Sequence, residues 1–77
     1  MTINVSYEDI ADGVACSPDR CPLALAISRE GFDSVSIAGP FAFVNGNLIK
    51  LPFEARHFVY DFDLSEPVQP FEFELDV

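Results

Sequence analysis

Along the 77 residues the spacing of apolar positions changes period several times, and each change marks an element. Thr2 to Val5 is short and rich in β-branched residues, as a first strand should be. Ser6 stands three residues before Asp9, the spacing of a capping box, and Glu8 and Asp9 fall at the positive end of a helix dipole. Ile10 and Val14 are i,i+4 partners, and Gly13 limits this first helix to about two turns. Ala15 to Arg20 reads as a loop. In the second helix Pro22 suits a first-turn position, Leu23-Ala-Leu-Ala-Ile is strongly helix-forming, and Gly31 supplies the stop after Arg29 and Glu30. Residues 22 to 27 carry no polar stripe, which predicts a helix buried on more than one side, placed centrally against a sheet. Ser17-Pro18 offers another start, but it would put Pro22 inside the helix, where it removes a hydrogen bond.

The period then shortens to two. Val35 and Ile37 alternate with Ser34 and Ser36, Gly39-Pro40 forms a turn, and Phe41 and Phe43 alternate with Ala42 and Val44. Asn45-Gly46 joins Phe41–Val44 to Asn47–Leu51 and is a strong hairpin signal. Pro52 at the first helical position opens a third helix through about Phe62, with Ala55, Phe58, Val59 and Phe62 along one face. Glu66-Pro-Val-Gln-Pro breaks the chain, after which Phe71, Phe73 and Leu75 alternate with Glu72, Glu74 and Asp76. The predicted order is β-α-α-β-β-β-α-β. It describes a single α+β domain over residues 1–77, a mainly antiparallel sheet of about four or five short strands with about three helices on one face.

Composition supports folding and adds a charge problem. Hydrophobic residues make up 49% and there are eight Phe, so the net charge of −9 does not signal disorder. A chain this short buries only ~60% of its unfolded surface, and self-repulsion weakens its compact state. Residues 57 to 77 hold six carboxylates and no Lys or Arg, interleaved with Phe58, Tyr60, Phe62, Phe71 and Phe73. A segment that stays disordered would lack those aromatics. The acids therefore decorate an ordered surface, suited to a basic protein groove of the kind that holds nucleic acid. Direct binding to DNA or RNA is disfavoured, because only Arg20, Arg29, Lys50 and Arg56 could meet phosphates. The N-terminus has no basic leader, and the longest uncharged apolar run, residues 22 to 27, is far short of the ~20 needed to span a bilayer. The expectation is a cytoplasmic protein.

Two candidate patches follow. On a strand, residues two apart point the same way at a spacing of about 7 Å, so Glu72, Glu74 and Asp76 form a row of charges. That step matches every second phosphate of a DNA strand, since nucleotides rise about 3.4 Å each. Asp61 and Asp63, at the end of the third helix, extend the row if that helix packs nearby; an ordinary solvated strand face, charged against edge pairing, is the simpler reading. Glu8, Asp9 and Asp12 on the first helix form the second patch. Dipole complementation explains Glu8 and Asp9 but leaves Asp12 unexplained.

Catalysis and metal binding find little footing. Cys16, Cys21 and His57 are too few ligands for a structural zinc site, and no cofactor is expected. Cys21 near a helix N-terminus has the setting of an enhanced thiolate, although a buried apolar role or a loop-helix contact is the simpler reading. His57 is the only histidine and no G-x-S-x-G or comparable motif accompanies it, so the chain is not expected to be an enzyme. Gly13, Gly31, Gly39 and Gly46 each match a cap or turn, which leaves no phosphate-binding loop.

Cys21-Pro-Leu-Ala-Leu-Ala, Gly31-Phe32, Leu51-Pro-Phe-Glu-Ala-Arg-His-Phe and Pro70-Phe-Glu-Phe-Glu-Leu together resemble a family of small phage-encoded proteins of unassigned role. These motifs concern packing and capping, so they imply a shared fold. Size and acidity are further similar to anti-CRISPR proteins, in particular an inhibitor of the type I-C surveillance complex, a functional class whose members often mimic DNA. The resemblance implies a monomeric, non-catalytic inhibitor in the host cytoplasm. Its partner would be a basic nucleic-acid-binding protein or a surveillance-complex subunit, with Tyr60 among the aromatic anchors. The competing expectation is a small structural or assembly protein whose acidity keeps it soluble, recognisable by an apolar, self-complementary surface.

Overall fold

Ser6 closes the first strand and opens the first helix within one residue. In the computed structural model, which describes all 77 residues, β1 (Thr2–Val5) runs directly into α1 (Tyr7–Asp12). The Ser6 hydroxyl accepts from the Asp9 N–H at 3.2 Å and the Asp9 carboxylate accepts from the Ser6 N–H at 2.9 Å, completing the capping box. Gly13 then has a packing role. A Cβ there would lie 2.6 Å from the Pro22 ring and 2.8 Å from the Asp9 carbonyl, so only glycine lets the end of α1 approach the start of the next helix.

That helix, α2 (Pro22–Ser28), begins at Pro22, and Ser17–Arg20 is loop. Pro22, Leu23, Ala24, Ala26 and Ile27 are all buried, as the missing polar stripe requires. The helix packs against β1, α1, the second strand and the third helix, and is the hub of the fold.

The remaining elements are β2 (Val35–Ala38), β3 (Phe41–Val44), β4 (Asn47–Lys50), α3 (Phe53–Asp63) and β5 (Phe71–Glu74), in the predicted order. The strands divide into two antiparallel sheets, β1-β5 and β2-β3-β4. The apolar circumference of α2 explains the division, because it offers one side to β1 and another to β2. Asn45 (φ 50°) and Gly46 (φ 84°) take the left-handed conformations of a type I′ hairpin turn. Pro52 caps α3 in extended conformation and does not occupy its first turn.

Ile3, Val5, Leu23, Ile27, Val44, Leu51 and Leu75 are almost wholly excluded from water and form the centre of the core. Phe62, Phe58, Phe71 and Phe73 stack in series, with centroids 6.2, 4.8 and 5.6 Å apart, and tie α3 to β5. No helix is long and apolar enough to cross a membrane.

Candidate binding surfaces

Strand β5 has the phase expected from its alternation. Phe73 and Leu75 are buried, while Glu72, Glu74 and Asp76 are exposed. The register pairs Thr2 with Glu74 and Asn4 with Glu72, so the outer face of this sheet is two carboxylates beside two small polar residues. Met1 and Leu75 exchange backbone hydrogen bonds of 3.0 and 2.8 Å, which carries the pairing one step beyond Glu74 and leaves Asp76 just past it. Glu72 and Asp76 have no ion-pair or hydrogen-bond partner. Glu74 differs: its carboxylate accepts from the Thr2 hydroxyl and lies 3.4 Å from the Met1 ammonium. Those contacts hold it below the usual glutamate range, the Thr2 hydrogen bond first.

The α1 patch requires a correction. Asp9 is 4% exposed and belongs to the interior. Arg29 grips it with both terminal nitrogens, Nη1 to Oδ1 at 2.6 Å and Nη2 to Oδ2 at 2.8 Å, and Nη2 also donates to the Asn4 carbonyl at 2.9 Å. Burial pushes the Asp9 carboxyl up, but the Arg29 hydrogen bonds and those from Ser6 outweigh it and leave the group below its ordinary value. Asp9 thus joins α1, β1 and α2 and is unavailable to a partner. The capping-box spacing held a signal for this, since it turns the carboxylate of the third helical residue, Asp9, back toward the chain. The identity of Arg29, twenty residues away, had none. Glu8 and Asp12 remain exposed, and Asp12 lines an open groove of about 660 Å³ with Asp19, Arg20, Leu25 and the Asp9–Arg29 pair.

Asp61 and Asp63 do not simply lengthen the β5 row. Asp61 lies 3.4 Å from His57 Nδ1 one turn earlier, and Asp63 accepts the Cys16 N–H at 2.9 Å, fastening the end of α3 to the loop after α1. The contact from α3 to β5 runs through Phe58 and Phe71, on the apolar side of the strand. Tyr60 is exposed, as an anchor must be. Of the eight carboxylates singled out, Glu8, Asp12, Glu72 and Asp76 are thus both exposed and without a partner.

Cys16 is exposed and Cys21 is buried. Burial pushes the Cys21 thiol up, overcoming the N–H groups of Ala24 and Leu23 at the helix start, so Cys21 takes the buried apolar role and not that of an enhanced thiolate. No three His, Cys, Asp or Glu side chains converge on a common point suited to a metal ion.

Acids are also missing where they are frequent elsewhere. Residues 34 to 53, which hold the whole β2-β3-β4 sheet, contain no Asp or Glu and one cation, Lys50. The outer face of this sheet presents exposed Phe43 and Leu48 as direct cross-strand partners. Arg56 on the following helix has no carboxylate partner; it lies over Phe53 at 5.9 Å and its Nε is buried without an acceptor. The chain therefore separates its charge, with an acid-faced sheet and a carboxylate-free one. No known protein family, characterised protein or solved structure matches this chain.

Proposed function

We propose that this chain is a non-catalytic inhibitor of the anti-CRISPR kind, docking an acidic, DNA-mimicking face on a basic nucleic-acid-binding groove of a partner protein in the host cytoplasm. The observation that carries this reading is the pair Glu72 and Asp76, both exposed and unpartnered, with Glu72 on the outward phase of β5, whose other side is core, and Asp76 just past its end. Carboxylates carried on a fixed backbone meet Lys and Arg side chains at the cost of ordering side chains only, and long-range attraction raises the rate of encounter. Exposed Glu8 and Asp12 form a second, separate acidic group on α1. The test is competition. The chain is titrated into a type I-C surveillance complex preloaded with labelled target duplex, alongside affinity capture from host lysate. The expected result is displacement of the duplex, weakened by added salt and by Glu72→Lys with Asp76→Lys. Capture of no nucleic-acid-binding protein together with no displacement would overturn it.

The competing reading, a small structural or assembly protein, is favoured by one observation, the exposed Phe43–Leu48 pair on the carboxylate-free sheet. A monomer that used only its acidic face would have no need of it.

A further inference from the structure

Strand β4 is an open sheet edge with little to guard it. The type I′ turn makes Val44 and Asn47 a hydrogen-bonded pair, and bonded and non-bonded pairs alternate from there along an antiparallel ladder. Phe43–Leu48 and Phe41–Lys50 are therefore non-bonded pairs, and the N–H and C=O groups of Leu48 and Lys50 point off the free side of β4. Neither residue has a backbone hydrogen bond outside the sheet. The opposite edge is closed, because the Ile37 N–H on β2 donates to the Pro18 carbonyl at 2.8 Å. Proteins protect such edges with proline, bulges, charges or shortness; β4 has neither proline nor bulge, and its protection is its four-residue length and Lys50. In the other sheet, β5 carries Glu72 and Glu74, and the outward Asn4 carbonyl of β1 is taken by Arg29. An open groove of about 430 Å³, lined by Phe32, Val44, Leu48, Ile49, Asp76 and Val77, runs beside β4 and leaves room for another strand.

We infer that two copies of this chain pair antiparallel through β4, making one continuous sheet across a two-fold axis. Charge selects this occupant. Two molecules of net charge −9 repel wherever carboxylates meet; residues 34 to 53 are the longest stretch without one, and Asp76 is the one acid lining the groove beside β4. Geometry selects the register. Only Leu48 and Lys50 offer outward backbone groups in β4, so Leu48 pairs with the partner's Lys50 and reciprocally, and Ile49 faces its own copy at the axis. A two-fold contact of this kind is self-complementary and closed. On the outer face each Leu48, with Phe43 behind it, then lies under the aliphatic stem of the partner's Lys50. So short a strand makes a weak, concentration-dependent dimer. Asp76 borders both this groove and the acidic row, so variants at Leu48 and Lys50, which leave Asp76 in place, separate the inference from the docking proposal.

Sedimentation equilibrium over a concentration series, at low and high salt, tests it. The expected wild-type result is a mass rising from 8.5 kDa toward twice that value, more readily at high salt, where repulsion is screened. Salt has the opposite effect on docking to a basic groove, so the two ideas fail separately. Leu48→Lys opposes a like charge to the partner's Lys50 and should weaken association by about tenfold or more, with an unchanged circular dichroism spectrum. Leu48→Glu should keep the dimer, because it opposes the same Lys50 with an acid. Adding Lys50→Glu to Leu48→Lys should restore association. A wild type that stays at 8.5 kDa throughout overturns the inference, as does a dimer indifferent to Leu48→Lys. Equal weakening by Glu and Lys at position 48 overturns the register and with it the proposed pairing.

Discussion

Arg29 and Asp9, twenty residues apart in sequence, meet in a two-pronged ion pair that locks α1 to α2 and, through the Asn4 carbonyl, to β1. The carboxylate is buried, whereas the guanidinium is about half exposed, with 49% of its side chain accessible. Removing the cation leaves a buried charge with only the Ser6 contacts, so Arg29→Met should cost about 1–3 kcal/mol. Because the loss lies mainly in that orphaned charge, adding Asp9→Asn to Arg29→Met should cost less than the sum of the single changes. Denaturant unfolding of the four proteins measures the coupling, and strict additivity would refute it.

The same pair sets a pH dependence. Asp9 has a folded-state pKa depressed below 3.8, so its contribution is present above that value and is lost as pH falls through the lower folded value. Neutralising other carboxylates over the same range relieves self-repulsion and acts the other way. The wild type should therefore exceed Asp9→Asn in thermal stability at neutral pH, and the gap should close below about pH 3.8. A gap that is constant down to strong acid would contradict the assignment.

Phe73 and Glu72 are neighbours with opposite fates. Phe73→Ala opens a cavity under β5 beside the aromatic stack and should cost roughly 3–5 kcal/mol. In a domain whose margin is on the order of 5 kcal/mol, that change should leave much of the chain unfolded near body temperature. Glu72→Lys, on the outer face, should fold with an unchanged spectrum. A well-folded Phe73→Ala beside an unfolded Glu72→Lys would invert the face assignment.

Among acids on the β5 side, the effect on partner binding should follow which carboxylates are unengaged. Glu72→Lys and Asp76→Lys should each reduce affinity, chiefly through slower association, because exposed charges act on encounter over about 8 Å at 0.15 M ionic strength. Glu74→Lys should additionally disturb the fold, since it breaks the Thr2 and Met1 contacts. Stopped-flow association rates and melting curves on the three variants separate these effects. An affinity independent of salt would end the electrostatic reading.

The two thiols should react at very different rates. A thiol reagent should modify Cys16 in the native protein and reach Cys21 only after unfolding. Cys21→Ala should be better tolerated than Cys21→Ser, which buries a hydroxyl and loses on the order of 1–3 kcal/mol if it finds no partner. Cys16→Ser should be nearly silent. Rapid native labelling of both sites would show that α2 opens at its N-terminus.

The order of elements was legible because each rests on local rules. The capping box at Ser6, the Asn45-Gly46 turn and the period-two run from Phe71 to Leu75 depend on residues a few positions apart, and all three stand in the fold. The outward phase of Glu72, Glu74 and Asp76 followed from the same alternation. Interactions between distant segments were not legible. Nothing near Asp9 predicts that Arg29 will cover it, nothing near Asp63 predicts the Cys16 N–H, and nothing near Gly13, which does end α1, predicts that Pro22 will press against it. The division into two sheets and the open edge of β4 belong to the same class, because pairing partners are set by how the chain packs around α2. By itself the sequence determined the elements, their buried faces and the sign of the surface charge, since these are properties of single segments. The tertiary structure alone decided which carboxylates stay free, because a carboxylate is engaged only by a group that folding brings to it.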